Sequence, residues 1–478
     1  MRKILYNILI IATILASNSC GDFLGNKPKG ITIPKYYDEY EKLLNGTKQS
    51  GNDDLEYLTD NVHLLNEDAS ASSYIYIGKN YNQRNLFSFA PGQIFLEGEK
   101  DGTWNSAYKR IFTYNIVANE VVKSQGSTEQ NKKRIRAEAL FSRAYDYFML
   151  VNMYAKHYNP NSANTDYGVS YITEGNINLM PNRNTVKEVY DNIFADLKEA
   201  EESLAEVVPN KTHPSKNALY AFYSRIYLTM GNFEKALENA NKVLEYNSDI
   251  LNLNDYIKQE GKTWDRVVLK EDATKRLPDI DHPEAVYISF LPSNLQGSVL
   301  LSKSARELFK KDVPEGVQDL RKEYYCAEDV VNLGGTPEQI PGECAWVLYS
   351  NINVGFTSVE SMLIAAECEA RIGSVDRAMQ LINKLRQARF SSPAPLRAAS
   401  KADALNKVLE ERRREFMMKG FRYFDLRRLN VEPEHAVTVS HSADGQTWTL
   451  SPNDPKYMLP ISQEVLDFNP DMPVYDRK

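Results

Sequence analysis

Residues 410–428 read Glu410-Glu-Arg-Arg-Arg-Glu-Phe-Met-Met-Lys-Gly-Phe-Arg-Tyr-Phe-Asp-Leu-Arg-Arg428, and the rest of the chain is organised around them. On a helical period Leu405, Leu409, Phe416 and Phe424 share one apolar stripe, with Val408 beside it. Arg412 falls on that stripe too. A guanidinium in an apolar setting has to meet acceptors, so the spacing predicts a partner in Glu415 or Asp425. Gly420 should bend or loosen the helix before Phe421, Tyr423 and Phe424 form an aromatic anchor. Six arginines and a lysine could suggest a nucleic-acid patch. Glu410, Glu411, Glu415 and Asp425 cancel much of that charge, so the segment reads as a packing and salt-bridge hub.

Working outward, length and composition set the frame. A chain of 478 residues can bury large cores, and 42% hydrophobic with 25% charged residues is ordinary for a globular protein. The net charge of −7 argues against a nucleic-acid partner. Tyrosine is abundant, 29 against 4 tryptophans, and suits sugar or peptide faces as well as helix packing.

At the start, Arg2 and Lys3 precede an apolar run from Ile4 to Ala16, and small residues lead to Cys20. That is the pattern of a secretory signal over residues 1–19. A cysteine at the cut predicts lipidation of Cys20, with residues 20–35 as a tether. Beyond residue 20 no run reaches the roughly 18 apolar residues of a spanning helix. Cys326 and Cys344 could close a loop or stay as buried thiols, and Cys368 reads as core.

Helical patterns follow at 36–46, 104–124, 134–156 and 185–204, the last capped by Asn184 or Thr185 with Glu188 behind. Tyr220-x2-Tyr223-Ser224-x2-Tyr227-x3-Gly231-Asn-Phe233-x2-Ala236-x3-Ala240 has tetratricopeptide spacing. Ala366-x6-Gly373-Ser-Val375-x2-Ala378 repeats it more weakly. About four helix pairs are therefore expected, with 36–250 as an N-terminal helical part. The C-terminal part, 251–478, combines an irregular insert with short strand pieces, a helix pair, the hub, and a hairpin about Asp444-Gly445.

Three segments resemble a known family. Glu411-Arg-x2-Glu415-x4-Gly420-x-Arg422-x2-Asp425-Leu-x-Arg428 is similar to a characteristic segment of the SusD/RagB nutrient-binding outer-membrane lipoproteins. Lys419 departs from it, standing where that family usually has an acid. Ala137-Glu-Ala-Leu-Phe-Ser-Arg-Ala-Tyr-Asp-Tyr-Phe-Met-Leu150 and the tail Leu459-Pro-Ile-Ser-Gln-Glu-Val465 resemble two more of its segments. The resemblance implies a mainly α, SusD-like fold. It also implies a non-catalytic, cell-surface, outer-membrane lipoprotein that delivers oligosaccharide to a SusC-like TonB-dependent transporter, with no cofactor. A RagB-like peptide cargo, a lipid-anchored glycosidase and an assembly scaffold are the alternatives.

No nucleophile, dinucleotide or metal motif appears, and the six histidines lack ligand spacing. A glycan needs aromatic faces for its C–H surfaces and polar side chains for its hydroxyls. Such residues intermingle at Tyr74, Tyr76, Tyr81 and Arg84, again at Trp346 and Tyr349 in a short strand-like piece, and at Trp264. These are the expected ligand contacts.

Overall fold

The computed structural model describes residues 34–64, 76, 78–176, 179, 181–259, 267–291, 299–333, 336–347 and 352–478. The expected mainly helical architecture is present. Helix α1 (Tyr37–Asn45) and the short α2 (Tyr81–Phe87) precede the long α3 (Gly102–Glu120) and α4 (Glu129–Tyr154). Then come α5 (Val186–Glu201), α6 (Lys216–Thr229) and α7 (Phe233–Tyr246). Two short helices, α8 (Lys303–Leu308) and α9 (Leu320–Tyr325), lie in the irregular insert. Beyond it stand α10 (Ser358–Ile372), α11 (Val375–Arg389), α12 (Lys401–Glu415), α13 (Arg422–Leu429) and α14 (Gln463–Phe468). Among the described residues no helix is long and apolar enough to cross a membrane.

Packing runs in chain order. α3 lies on α4, α4 on α5, α6 on α7, and α10 on both α7 and α11. The tetratricopeptide turn forms as the spacing demands: Gly231 has φ of 75°, and Asn232 caps α7 by accepting from the Lys235 amide at 3.1 Å. Ser224, Ala236 and Ala240 are fully buried, so small side chains let the helices approach. At α5 the cap is Thr185, whose amide donates to Glu188 at 2.8 Å while its hydroxyl accepts from the Glu188 amide.

Helix α4 is buried along most of its length and keeps its polar groups only by pairing them. Arg143 makes a fork to Asp196 (2.6 and 2.7 Å) and also reaches the Asn115 side chain. Asn115 in turn donates to the Ile172 carbonyl at 2.9 Å and ties the following loop to α3.

The strands are short. β1 (Val62–His63), β6 (Leu300–Leu301), β8 (Thr336–Trp346) and β7 (Cys326–Leu333) form one sheet in the order β1-β6-β8-β7. β2 (Tyr256–Lys258), β3 (Val267–Leu269) and β4 (Asp272–Arg276) form a second, and β5 (Ala285–Tyr287) pairs with β9 (Phe356–Thr357). The hairpin of β10 (Val439–Ala443) and β11 (Gln446–Leu450) turns on Asp444-Gly445. Both turn residues have positive φ, 52° and 70°, as a tight primed turn requires. Cys326, Cys344 and Cys368 are buried free thiols.

The hub is an ion lattice. Arg412 pairs with Asp425 (2.8 Å), settling the partner on the second of its two candidates. Asp425 also holds Arg428, which forks to Glu367, and Glu367 reaches Arg371. Glu415 is instead engaged by Arg389 and Arg321, while Glu411 takes Arg321, Arg386 and Arg414. Burial alone would raise the Glu411 carboxyl, but these three guanidinium groups overcome it and hold it down at about 2. Lys419 lies 3.7 Å from Glu415 and supplies a long ion pair. α12 stops at Glu415, and Met418 and Gly420, with φ of 56° and 80°, turn the chain into α13.

Candidate functional site

A polar cleft opens where residues 50–54, α2 and residues 94–101 meet the first turns of α3 and the last turns of α4. Each wall is set by a local rule. Asn52 caps a single 3₁₀ helix, Asp53–Leu58, by accepting from the Asp54 amide at 3.0 Å. Asn80 caps α2 by accepting from the Gln83 amide at 2.9 Å. Asp101 caps α3 through the amides of Thr103 and Trp104 and also receives the Tyr154 hydroxyl at 2.6 Å.

These capped starts aim polar side chains into one space. Gln83 donates to Asp54 at 2.8 Å and Asn82 to its other oxygen at 3.4 Å, which joins α2 to the 3₁₀ turn. The Asn52 amide donates to the Thr103 hydroxyl at 3.0 Å and joins that turn to α3. Arg110 and Asp146 form a fork at 2.8 and 2.9 Å across α3 and α4. The cleft holds roughly 330 Å³, and Leu86, Phe95 and Met149 provide its apolar lining. Oδ1 of Asn82 is buried and has no partner among the described residues.

The electrostatics are acidic. Burial raises the Asp54 carboxyl, and the neighbouring Asp53 and Asp101 charges add to that, against the pull of the Gln83 amide. Burial likewise raises Asp101 and Asp146 against their hydrogen bonds. Just outside, Lys79 stands 5.8 Å over the Tyr57 ring, and burial brings its amine down to about 8 against the Asp54 charge. The groups can accept hydrogen bonds from a polyhydroxylated ligand while the apolar lining meets its C–H faces. For metal ligation, one group of three donors lies together among the described residues, Glu432, Glu434 and His435, and Arg371 already engages Glu432 at 2.8 Å.

The expected contact residues fall in different places. Tyr81, 39% exposed, and Arg84 lie on α2 beside Asn82 and Gln83, at the edge of the cleft region. Tyr76 is half-buried, with its ring centroid 5.9 Å from both Phe87 and Trp448, so it packs the β10–β11 hairpin onto α2. Trp346 departs from its expected role as a ligand contact, although it lies in a strand as the short strand-like run Ala345–Tyr349 suggested. It ends β8, is 1% exposed and stands edge-on to Tyr325 at 5.6 Å, so its ring faces belong to the core. Tyr74, Trp264, Tyr349 and Cys20 lie outside the described residues. Thr103, Arg110 and Asp146 were not anticipated. Only Thr103 had a local signal, since Asp101-Gly-Thr-Trp104 reads as a helix cap.

With this geometry in place, two family profiles match the chain. One, described as "Starch-binding associating with outer membrane", takes in residues 31–228, and one for the SusD family takes in residues 359–474. SusD-like protein P2 of Formosa agariphila is 28% identical over 254 residues, which is 51% of this chain and 46% of P2. SusD-like protein P25 of the same organism is 20% identical across 98% of this chain and 97% of its own. Among solved structures, a SusD superfamily protein from Bacteroides thetaiotaomicron superposes with a TM-score of 0.68 at 19% identity, covering 93% of this chain and 100% of that one. One described as a putative sugar binding protein from Bacteroides vulgatus gives 0.65 at 20% identity, covering 93% and 99%. At such identities the superpositions establish the fold, and the two profiles, spread over both ends of the chain, establish descent. The chain belongs to the SusD/RagB family.

Proposed function

We propose that this protein captures oligosaccharides at the cell surface and passes them, without chemical change, to a SusC-like TonB-dependent transporter. The observation that carries the reading is the cleft, where capped helix starts direct Asn, Asp, Thr and Arg side chains over an apolar lining. Such a pairing suits a sugar, whose ring offers C–H faces and whose rim offers hydroxyls. Family membership supports it, because the matching profile carries a starch-binding description. In this reading Tyr81 and Arg84 extend the contact surface along α2, and Tyr74, Trp264 and Tyr349 are further contact candidates. Acylated Cys20 anchors the body to the outer membrane through the tether, and no cofactor takes part.

The test is titration calorimetry on protein beginning after Cys20, against a panel of oligosaccharides and peptides, with chromatography of the mixtures for products. Saccharide binding without turnover is the expected result. Binding of peptide alone would transfer the reading to a RagB-like cargo, and release of shorter sugars would overturn the non-catalytic role.

A further inference from the structure

The cleft has a marked imbalance between groups that accept hydrogen bonds and groups that donate them. Asp53, Asp54, Glu99, Asp101 and Asp146 line it, against two cations, Lys100 and Arg110. Both cations are already taken: Arg110 by the fork to Asp146, and Lys100 by Glu464 at 2.6 Å. No positive charge in the lining is therefore left without a carboxylate. The amide of Asn82 is spent on Asp54, and its carbonyl oxygen is buried without a donor. The Asn52 amide is spent on Thr103. What the lining still offers is mainly lone pairs and negative charge.

A carboxylate or sulfate ester brings only acceptors, so it would meet mostly acceptors, with the Ser50, Thr103 and Ser106 hydroxyls and the Nη1 end of Arg110 as the few donors, next to an excess of like charge. A hydroxyl brings a donor and an acceptor, and an ammonium brings donors with opposite charge. Resting on the saccharide-capture reading above, we infer that the cleft selects saccharides rich in hydrogen-bond donors and free of anionic groups. Neutral and amino-bearing sugars are its ligands, and uronates and sulfated sugars are excluded.

The experiment titrates the protein lacking residues 1–20 with three β-1,4-linked oligosaccharides of equal length, a neutral one, an amino one and a uronate, at low and high salt. The neutral and amino sugars should bind, and the uronate should bind about tenfold more weakly or worse at low salt, with the gap narrowing as salt screens the carboxylates. Asp53→Asn should narrow the gap by strengthening uronate binding severalfold. Asn82→Ala should weaken the neutral sugar about tenfold, and circular dichroism checks that both variants are folded. Uronate binding as tight as neutral binding overturns the charge selection alone. Neutral-sugar binding that ignores Asn82, together with uronate binding that ignores Asp53, overturns the placement in this cleft and leaves capture standing. Binding of no saccharide overturns both readings.

Discussion

Glu56 offers the sharpest quantitative check on how this fold handles buried charge. Its side chain is 1% exposed and touches no cation. Its oxygens accept from the Gly420 amide at 2.8 Å, the Thr59 hydroxyl at 3.2 Å and the Asn61 amide at 3.5 Å. Burial pushes its carboxyl from 4.5 up to about 7, against those hydrogen bonds and with help from the nearby Asp60 charge. The folded protein therefore keeps a proton between about pH 4.5 and 7 that the unfolded chain has released. Stability from this group is present at low pH and is lost as pH rises through 7. At about 1.4 kcal/mol per unit the loss comes to slightly more than 3 kcal/mol.

Glu56→Gln has nearly the same shape, can still accept from Gly420, and carries no charge at any pH. The variant should match the wild type near pH 4.5 and exceed it by about 3 kcal/mol above pH 7.5. Melting temperatures of both proteins across that range measure the difference, and groups that titrate alike in both cancel. A difference independent of pH, or a variant less stable than wild type at pH 8, would refute the reasoning.

Asp425→Ala strips Arg412 and Arg428 of a shared buried partner and should cost roughly 3–5 kcal/mol, read as a lower melting temperature. Adding Arg412→Met should recover part of that loss, which a double-mutant cycle would register as coupling. Gly355→Ala would place a Cβ 2.2 Å from the Tyr287 carbonyl oxygen, a backbone atom that cannot step aside, and should cost about 2 kcal/mol or more. Gly102→Ala, where a Cβ meets nothing within 4 Å, is its control and should melt like the wild type. Trp346→Ala should lose about 3–5 kcal/mol of stability, while saccharide affinity measured on the folded fraction stays unchanged.

Much of the scaffold could be read from local rules. Gly231, Thr185 and Asp444-Gly445 sit where backbone conformation or a helix end demands those residue types, and the folded chain uses them so. Arg412 was legible because a charge on an apolar stripe must find an acceptor nearby, and Asp425 was one of two within reach. Trp346 was misleading. Its surroundings are rich in turns, yet β8 pairs on both sides and carries the ring inward. The cleft was only half legible. Asn82 and its neighbours stood out by composition, but Arg110 and Asp146 lie on helices whose patterns signal burial. Only the packing of α3 on α4 brings them to Asp54.

The ion lattice also bears on when this protein can finish folding. Asp60 waits for Arg413 and Arg422, Glu284 for Arg389, and Glu367 for Arg428, so acids from early and middle positions are neutralised by bases emerging near the end. A nascent or truncated chain that stops short of α13 leaves Asp60 with Arg413 alone and Glu367 with Arg371 alone, so the lattice closes fully only when the last bases have arrived.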